Sequence, residues 1–595
     1  MESEQDFTDQ ELKQIADSAV VISKLEKWFT RAKKFREKRA DRWRKNEALR
    51  DGDHWKNARN IKRGQSKITA NYPLSNIMNQ EAVINDHMPV FDVMPRDEND
   101  NFFADMMQKR KSQLESDSDL YFHVLDTVDD ALTYSDGLIQ ILPVIEKIVD
   151  EANPDAENPA TRLTGLDVEV LDIFTWLPDP WATGMDIRKK EARYHIFAFP
   201  MYTDEIEEQY GLNHVPAEGS MSDFKAFTEA NEDDSTEDDM ALVKQAIYWD
   251  KDTEKYPDGR MTLWVGKQLI EDAPLEGRCP IFKFSNYGTA HRIFGMGEPE
   301  IDRTITKAVN DAYSSINDNL KKTGNPVEKM TEKVKNSLDN GRVGRRIVVD
   351  NEQDFGYELP PPLPAYTQHF INQINNTRKE VVGNQDIIQG DKPPGVTAAS
   401  ALAVLREAAQ GRIRLKIDHG LSKTIKDIGE YVVYLIQNFD DEIVNIRQGR
   451  NADGGYNFTK YDPVNSYDAQ GLVEGDDDFD SETARRIGDT EFDISVTAGV
   501  QYPGGRVARE ARATELYEAE IYGIEEWANA SSEPDKQKLI DSWNRRHGQP
   551  GQDEEIPEEI MAEYERLVGM GELGEVEAQQ LKQLIEQFPQ LGGGN

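Results

Sequence analysis

The residues best suited to chemistry in this chain are the carboxylates of Asp476-Asp477-Asp478 and Asp480, and its single thiol, Cys279. Clustered carboxylate oxygens can hold a hard divalent cation. A metal held there would support phosphodiester hydrolysis, so the run admits a nuclease or processing enzyme; a solvated acidic loop is the simpler reading. Cys279 stands between Arg278 and Pro280 at a strand entry, with no histidine spaced to activate it. It reads as a small buried apolar residue. The sequence has no His-Glu-x-x-His, no Gly-x-x-x-x-Gly-Lys-Ser/Thr and no Gly-x-Ser-x-Gly. Gly295-Met-Gly297 lacks the third glycine of a dinucleotide fingerprint and reads as a helix entry. The sequence therefore predicts no enzyme, no cofactor and no metal.

What remains is architecture. A helix opens at Gly297-Glu298-Pro299, with Ile301, Ile305, Ala308, Ala312, Ile316 and Leu320 stepping by three or four. It spans roughly 37 Å at 1.5 Å per residue. Its other face carries Thr304, Lys307, Asn310, Asp311, Ser314, Asn317, Asp318 and Lys321, a polar face for solvent, a lumen or a neighbouring subunit. Residues 323–364 are broken by Gly-Asn-Pro, Asn-Gly-Arg and Pro-Pro-Pro, and form a locally basic island with Lys329, Lys333, Lys335, Arg342, Arg345 and Arg346. Such an island suits contact with a partner or with DNA. A second helix shows Tyr366, Phe370, Ile374, Thr377 and Val381 on one face. The loop from Gly383 to Thr397 cannot be helical across Pro-Pro-Gly. From Leu402 to Leu435 apolar residues then hold helical spacing for roughly nine turns, with Gly411, Gly420 and Gly429 nine apart, a sign of close helix approach or a bend.

Upstream, residues 11–50 predict a helix with eleven cations from Lys24 to Lys45 interleaved by Trp28, Phe35 and Trp43. One reading is nucleic-acid contact. The preferred one is an amphipathic helix whose aromatics pack and whose bases meet acidic neighbours. Helices are expected at 76–85, 100–125 and 127–135, and Tyr72-Pro73 reads as a turn. Strands are expected at Val90–Pro95, Ile139–Glu146, Leu166–Leu171, Tyr194–Pro200, Lys244–Asp250, Arg260–Ile270, Pro280–Phe284 and Phe492–Val496. A short helix follows Met201, with Thr203 as its N-cap. Residues 213–240 read as an acidic surface insert, and 501–595 as mainly helical with a disordered tail.

At 595 residues the chain is long enough for about three or four domains. With 37% hydrophobic and 30% charged residues it is polar for a self-contained globule, which reads either as a large exposed surface or as long, thin elements that bury their apolar faces against neighbouring subunits. A net charge of −41 argues against a conventional electrostatic DNA binder, though not against a protein that touches DNA without gripping it. The acidic start is no signal peptide. The most apolar run, Leu138–Val149, is interrupted by Gln140, Pro143, Glu146 and Lys147, so no membrane span is expected and the protein reads as soluble and intracellular where it is made.

The order of these parts resembles the bacteriophage portal (head-to-tail connector) family over most of the chain. Tyr287–Pro299 is similar to the entry of a first stem helix, and Thr397-Ala-Ala-Ser-Ala-Leu402 to the start of a long wing helix. Val496–Arg506 is similar to the turn before crown helices. The resemblance implies an α+β, ring-forming portal fold. Its parts would be an N-terminal α/β wing (1–296), stem helix 1 (297–322), an α/β clip (323–364), stem helix 2 (365–382), a tunnel loop (383–397), a wing section with a long kinked helix (398–500) and an α-helical crown (501–595).

It further implies a ring of about twelve copies at one capsid vertex that admits DNA during packaging and releases it on infection. Expected partners are the terminase large subunit, head-completion or tail adaptor proteins, capsid and scaffolding proteins, and double-stranded DNA passing through without sequence preference. The expected place is the virion, after assembly in the host cytoplasm. The tunnel-loop candidates toward DNA are Gln385, Asp386, Gln389, Asp391 and Lys392. Lys307 and Lys321 are candidates on the stem, and Lys329, Lys333, Lys335, Arg342, Arg345 and Arg346 for docking at the clip. Another virion structural protein, of coat or scaffold type, is the alternative.

Overall fold

In a computed structural model of the chain, the described residues are most of 9–498 and a few between 513 and 543. The longer stretches outside them are 57–64, 149–159, 183–191, 218–239, 250–255, 331–350, 384–409, 451–455 and 499–512. The chain divides into two units, residues 1–446 with 460–503, and residues 447–459 with 504–595. In the second, Ile524, Ala528 and Ile540 gather Tyr517, Trp527 and Trp543 around them. Most of the expected crown helices lie outside the described residues.

The first unit opens with α1 (Asp9–Arg50), uninterrupted by glycine or proline. Its inward residues Ile22, Leu25, Trp28, Phe29, Ala32, Arg36, Ala40 and Trp43 recur at helical spacing and are buried. Helix α2 (Tyr72–Asp86) takes Pro73 into its first turn, where a missing N–H costs nothing. This corrects the turn expected at Tyr72-Pro73. Strand β1 (Pro89–Pro95) follows. Helices α3 (Asn101–Asp117) and α4 (Leu120–Thr133) are separated at Ser118-Asp119, Asp119 having φ 50, and not at the later break expected from spacing.

Strands β2 (Asp136–Lys147) and β3 (Thr161–Leu171) pair antiparallel. Next come β4 (Trp176–Pro178), β5 (Tyr194–Tyr202) and α5 (Thr203–Tyr210), in which Tyr202 and not Thr203 is the N-cap. The run expected as one strand over 260–270 is two, β7 (Arg260–Val265) and β8 (Gln268–Pro274), turned at Gly266-Lys267; β6 (Met240–Tyr248) precedes them. Strand β9 (Ile281–Ser285) completes a three-stranded sheet in the order β3-β2-β9, and a five-stranded sheet runs β4-β5-β6-β7-β8. Helix α1 lies on the second of these. Trp28 stacks on Tyr194 at 4.6 Å, and the Trp264 Nε1 donates to Glu26 at 2.8 Å.

Helix α6 (Glu298–Gly324) leads to the hairpin strands β10 (Val327–Met330) and β11 (Phe355–Glu358), then α7 (Tyr366–Val382). The described part of the long C-terminal helix is not continuous. It runs as α8 (Gly411–Lys416), a π-helical turn over Ile417–Leu421, and α9 (Ser422–Phe439). Strands β12 (Val444–Arg450) and β13 (Tyr456–Tyr461) pair, and β14 (Phe492–Ala498) pairs with β1.

The largest core forms where Ile425, Ile428, Val432, Leu435 and Ile436 of α9 meet Phe91, Phe103, Leu132, Ile139 and Phe282. The helix comes close to the strands because two positions carry no side chain. A Cβ at Gly429 would lie 2.5 Å from the Phe91 ring, and one at Gly420 2.9 Å from that of Phe284. Gly429→Ala should therefore cost about 1–3 kcal/mol through overpacking, whereas Gly411→Ala, with nothing within 4 Å of its Cβ, should cost nothing. Urea unfolding followed by tryptophan fluorescence would separate the two; equal midpoints would refute the close-packing account.

Candidate functional site at a three-helix junction

The first turn of α6, the end of α8 and the middle of α2 converge on one buried ion pair. Glu298 accepts hydrogen bonds from the Lys416 ammonium, from Asn286 Nδ2 at 3.1 Å and from Asn76 Nδ2 at 3.1 Å. Lys416 also donates to Gln80 Oε1 at 2.6 Å and lies over the Tyr287 ring at 4.1 Å. The two side chains are 1% and 4% exposed, so neither charge keeps its water. Burial alone would raise the Glu298 pKa, but the Lys416 charge and the amides of Asn286 and Gln80 outweigh it and hold the carboxyl below its ordinary value. Glu298 also sits in the first turn of its helix, where the backbone dipole favours an anion.

Two further ties close the junction. Arg378 of α7 faces Asp302 of α6 at 3.8 Å and lies 4.0 Å from the Tyr72 ring centre. Arg412 of α8 donates to the backbone carbonyls of Glu380 and Val381, at 3.2 and 3.0 Å, which the end of a helix leaves without intrahelical partners. Gly383, at φ +78, ends α7 in the left-handed conformation. Gly383, the last described residue before 384–409, lies against the Arg412 side chain just after that stretch. Beside it lies a cleft of about 400 Å³, lined in part by Lys283, Asn286, Tyr287, Leu415 and His419. The expected helix entry at Gly295-Met-Gly297 is fixed as well, with Gly295 N donating to the buried Asp136 carboxylate at 2.9 Å.

The polar face of α6 has a use the spacing did not reveal. Ser66 N donates to Asp318 Oδ1 at 2.8 Å, Ile68 N to Ser314 Oγ at 3.0 Å and Ala70 N to Asn310 Oδ1 at 2.9 Å. Alternate residues of an extended segment advance about 6.6 Å, and every fourth helical residue about 6 Å, so one ladder matches the other. The acceptors Asn310, Ser314 and Asp318, four apart, are the signal that would have located it. Asn317 and Lys321 both donate to Ser66 Oγ, at 3.0 and 2.8 Å. Lys307 is exposed, with Thr304 and Asp311 beside it. The apolar stripe of α6 is mostly half-buried, with only Leu320 near its end 60% exposed, whereas on α7 Tyr366 is 73% and Phe370 49% exposed.

Lys329 lies on β10 opposite Gly356. Lys333, Lys335, Arg342, Arg345 and Arg346, and the loop residues Gln385, Asp386, Gln389, Asp391 and Lys392, lie outside the described residues. Asp476 accepts from Val473 N at 2.9 Å, a turn contact. Among the described residues no group of three or more His, Cys, Asp or Glu could hold a metal ion. Cys279 is buried, in a cluster with Trp43, Trp176 and Phe294. Among the described residues no helix is long and apolar enough to cross a membrane.

Residues 197–452 match the family model of the phage SU10 portal protein, a span that holds α6, α7 and α8 of the junction but not α2. No curated protein matches the chain.

Lys416→Met would leave a carboxylate buried without its counter-charge and should destabilise the first unit by about 3–5 kcal/mol. The double variant Glu298→Gln, Lys416→Met should recover most of that loss. Since the Glu298 pKa is depressed on folding, its stabilisation is present above the unfolded value and lost as pH falls through the folded one. The acid limb of a urea-unfolding pH series should consequently be shallower in Glu298→Gln than in the parent. An additive double variant would show that the pair does not couple.

Proposed function

We propose that this chain, which over residues 197–452 is similar to the phage SU10 portal protein, assembles into a closed ring of about twelve copies at one capsid vertex. There it serves as the conduit for DNA during packaging and ejection. The observation that carries the reading is the junction itself. The helix ends on either side of residues 384–409 are tied together through Glu298–Lys416, Arg378–Asp302 and the Arg412 cap, an arrangement that would keep the base of a loop there fixed. The outward apolar residues of α6 and α7 give each copy something to bury against the next, with a heterologous contact repeated until the ring closes.

Electrostatics fit passage better than grip. Twelve unpaired chains would carry roughly −490. A wall of that sign leaves DNA no deep well in which to release counterions and stick. Lys307 and Lys321 on α6 and Lys392 in the loop would interrupt it with shallow basic rings, and Gln385, Asp386, Gln389 and Asp391 would approach the duplex as a valve without sequence preference. The basic residues Lys329, Lys333, Lys335, Arg342, Arg345 and Arg346 would dock the terminase large subunit during packaging and head-completion or tail adaptor proteins afterwards. Capsid and scaffolding proteins would seat the ring. No step of this function needs catalysis.

Negative-stain microscopy of the purified chain should show rings with a central hole about as wide as duplex DNA; shells or sheets would indicate a coat or scaffold-type protein instead. Deleting residues 387–392 should leave rings intact and reduce the packaging or retention of DNA in filled heads. Normal packaging and retention in that deletion would remove the valve.

A further inference from the structure

Helix α1 answers only half of the question its composition raises. The inward half is packing: Trp28, Phe29 and Trp43 are buried, Arg36 is buried with them, and Arg39 pairs with Glu300 at 3.1 Å. The outward half is a separate feature. Lys27, Arg31, Lys34, Lys38, Arg42 and Lys45 follow one another at intervals of three or four and are all exposed. They form a straight ridge about 27 Å long. None of the six has an ion-pair partner among the described residues, while the acids on the same side, Glu37 and Asp41, are fewer, and Asp41 is already 3.9 Å from Arg44. In a chain of net charge −41, six aligned cations left in water are not needed as internal counter-charges.

The chemistry of the ridge narrows the partner. Four of the six are lysines, hydrated point charges that are depleted in protein–protein interfaces, where arginine and aromatics are enriched. The helix turns its tryptophans inward, so the ridge offers no platform on which unpaired bases could stack, as single-strand binders require. What suits a straight line of lysine-rich charge is the phosphate backbone of a duplex, met without reading bases. We propose that the outer ridge of α1 is a second nucleic-acid surface that holds duplex DNA from outside, separate from any DNA passing through a channel.

The test uses the full chain in its assembled form and a nicked circular duplex, which has no end to thread through a ring. Filter binding should show retention that falls with salt between about 50 and 200 mM. In the variant Lys27→Gln, Lys34→Gln, Lys38→Gln, Lys45→Gln, binding at low salt should drop at least tenfold. The log–log salt slope should become shallower by about 3–4, near 0.9 per cation removed. The same four positions changed to arginine should retain binding, and so should Lys267→Gln at the exposed turn between β7 and β8. Equal slopes for parent and glutamine variant would overturn the proposal. So would loss of binding in the arginine variant, a preference for single strands, or capture of poly-glutamate with no capture of the duplex. Rings that form normally yet ignore the circle would sink this proposal and leave the portal reading standing.

Discussion

The structure around the long helices depends on a charge pair that has been taken out of water. Burying Glu298 and Lys416 forfeits the hydration of both, and their attraction alone need not repay it. What the pair supplies is direction. Each hydrogen bond around it, from Asn76, Asn286 and Lys416 and on to Gln80, is satisfied in one arrangement of α2, α6 and α8. An apolar patch of equal area would tolerate sliding or rotation. This arrangement does not, and the weaker ties at Arg378 and Arg412 inherit its register.

The same preference for polar fixation over apolar burial runs along α6. Its apolar stripe is half-buried, with Leu320 exposed near its end, while Asp302, Thr306, Asn310 and Ser314 are buried within the chain alongside Val309. Asn310 and Ser314, each accepting from a backbone N–H of residues 68–70, tie the helix to its own chain.

Much of the frame could be read beforehand. The starts of α6 and α7 are marked by Pro299 and by prolines 360, 361, 362 and 364, and the period of their apolar residues is unambiguous. Strands β1, β2, β5, β9 and β14 were likewise visible in alternation or in short apolar runs. What escaped has physical causes. Periodicity tells which face of a helix is apolar but not whether that face meets its own chain, so the ladder from Asn310, Ser314 and Asp318 to residues 66–70 was taken for a free polar face. The π turn over Ile417–Leu421 adds one residue to a helix without any change in composition. The two-residue turn at Gly266-Lys267 lay inside an alternating run and so joined two strands into one. The junction was the least legible of all, because Glu298 and Lys416 are 118 residues apart and each looks like an ordinary surface charge in its own helix.

The interval between the two tight positions on the long helix has a mechanical meaning. Nine residues are about two and a half turns, and Gly420, inside the π turn, and Gly429 open to different neighbours. One receives Phe284 from the three-stranded sheet, and the other Phe91 from the β1–β14 pair. The helix is therefore a rod held between two jaws. Torque applied at its N-terminal end cannot be absorbed by rolling in the socket; it must be taken up by the π turn or passed on to both sheets at once.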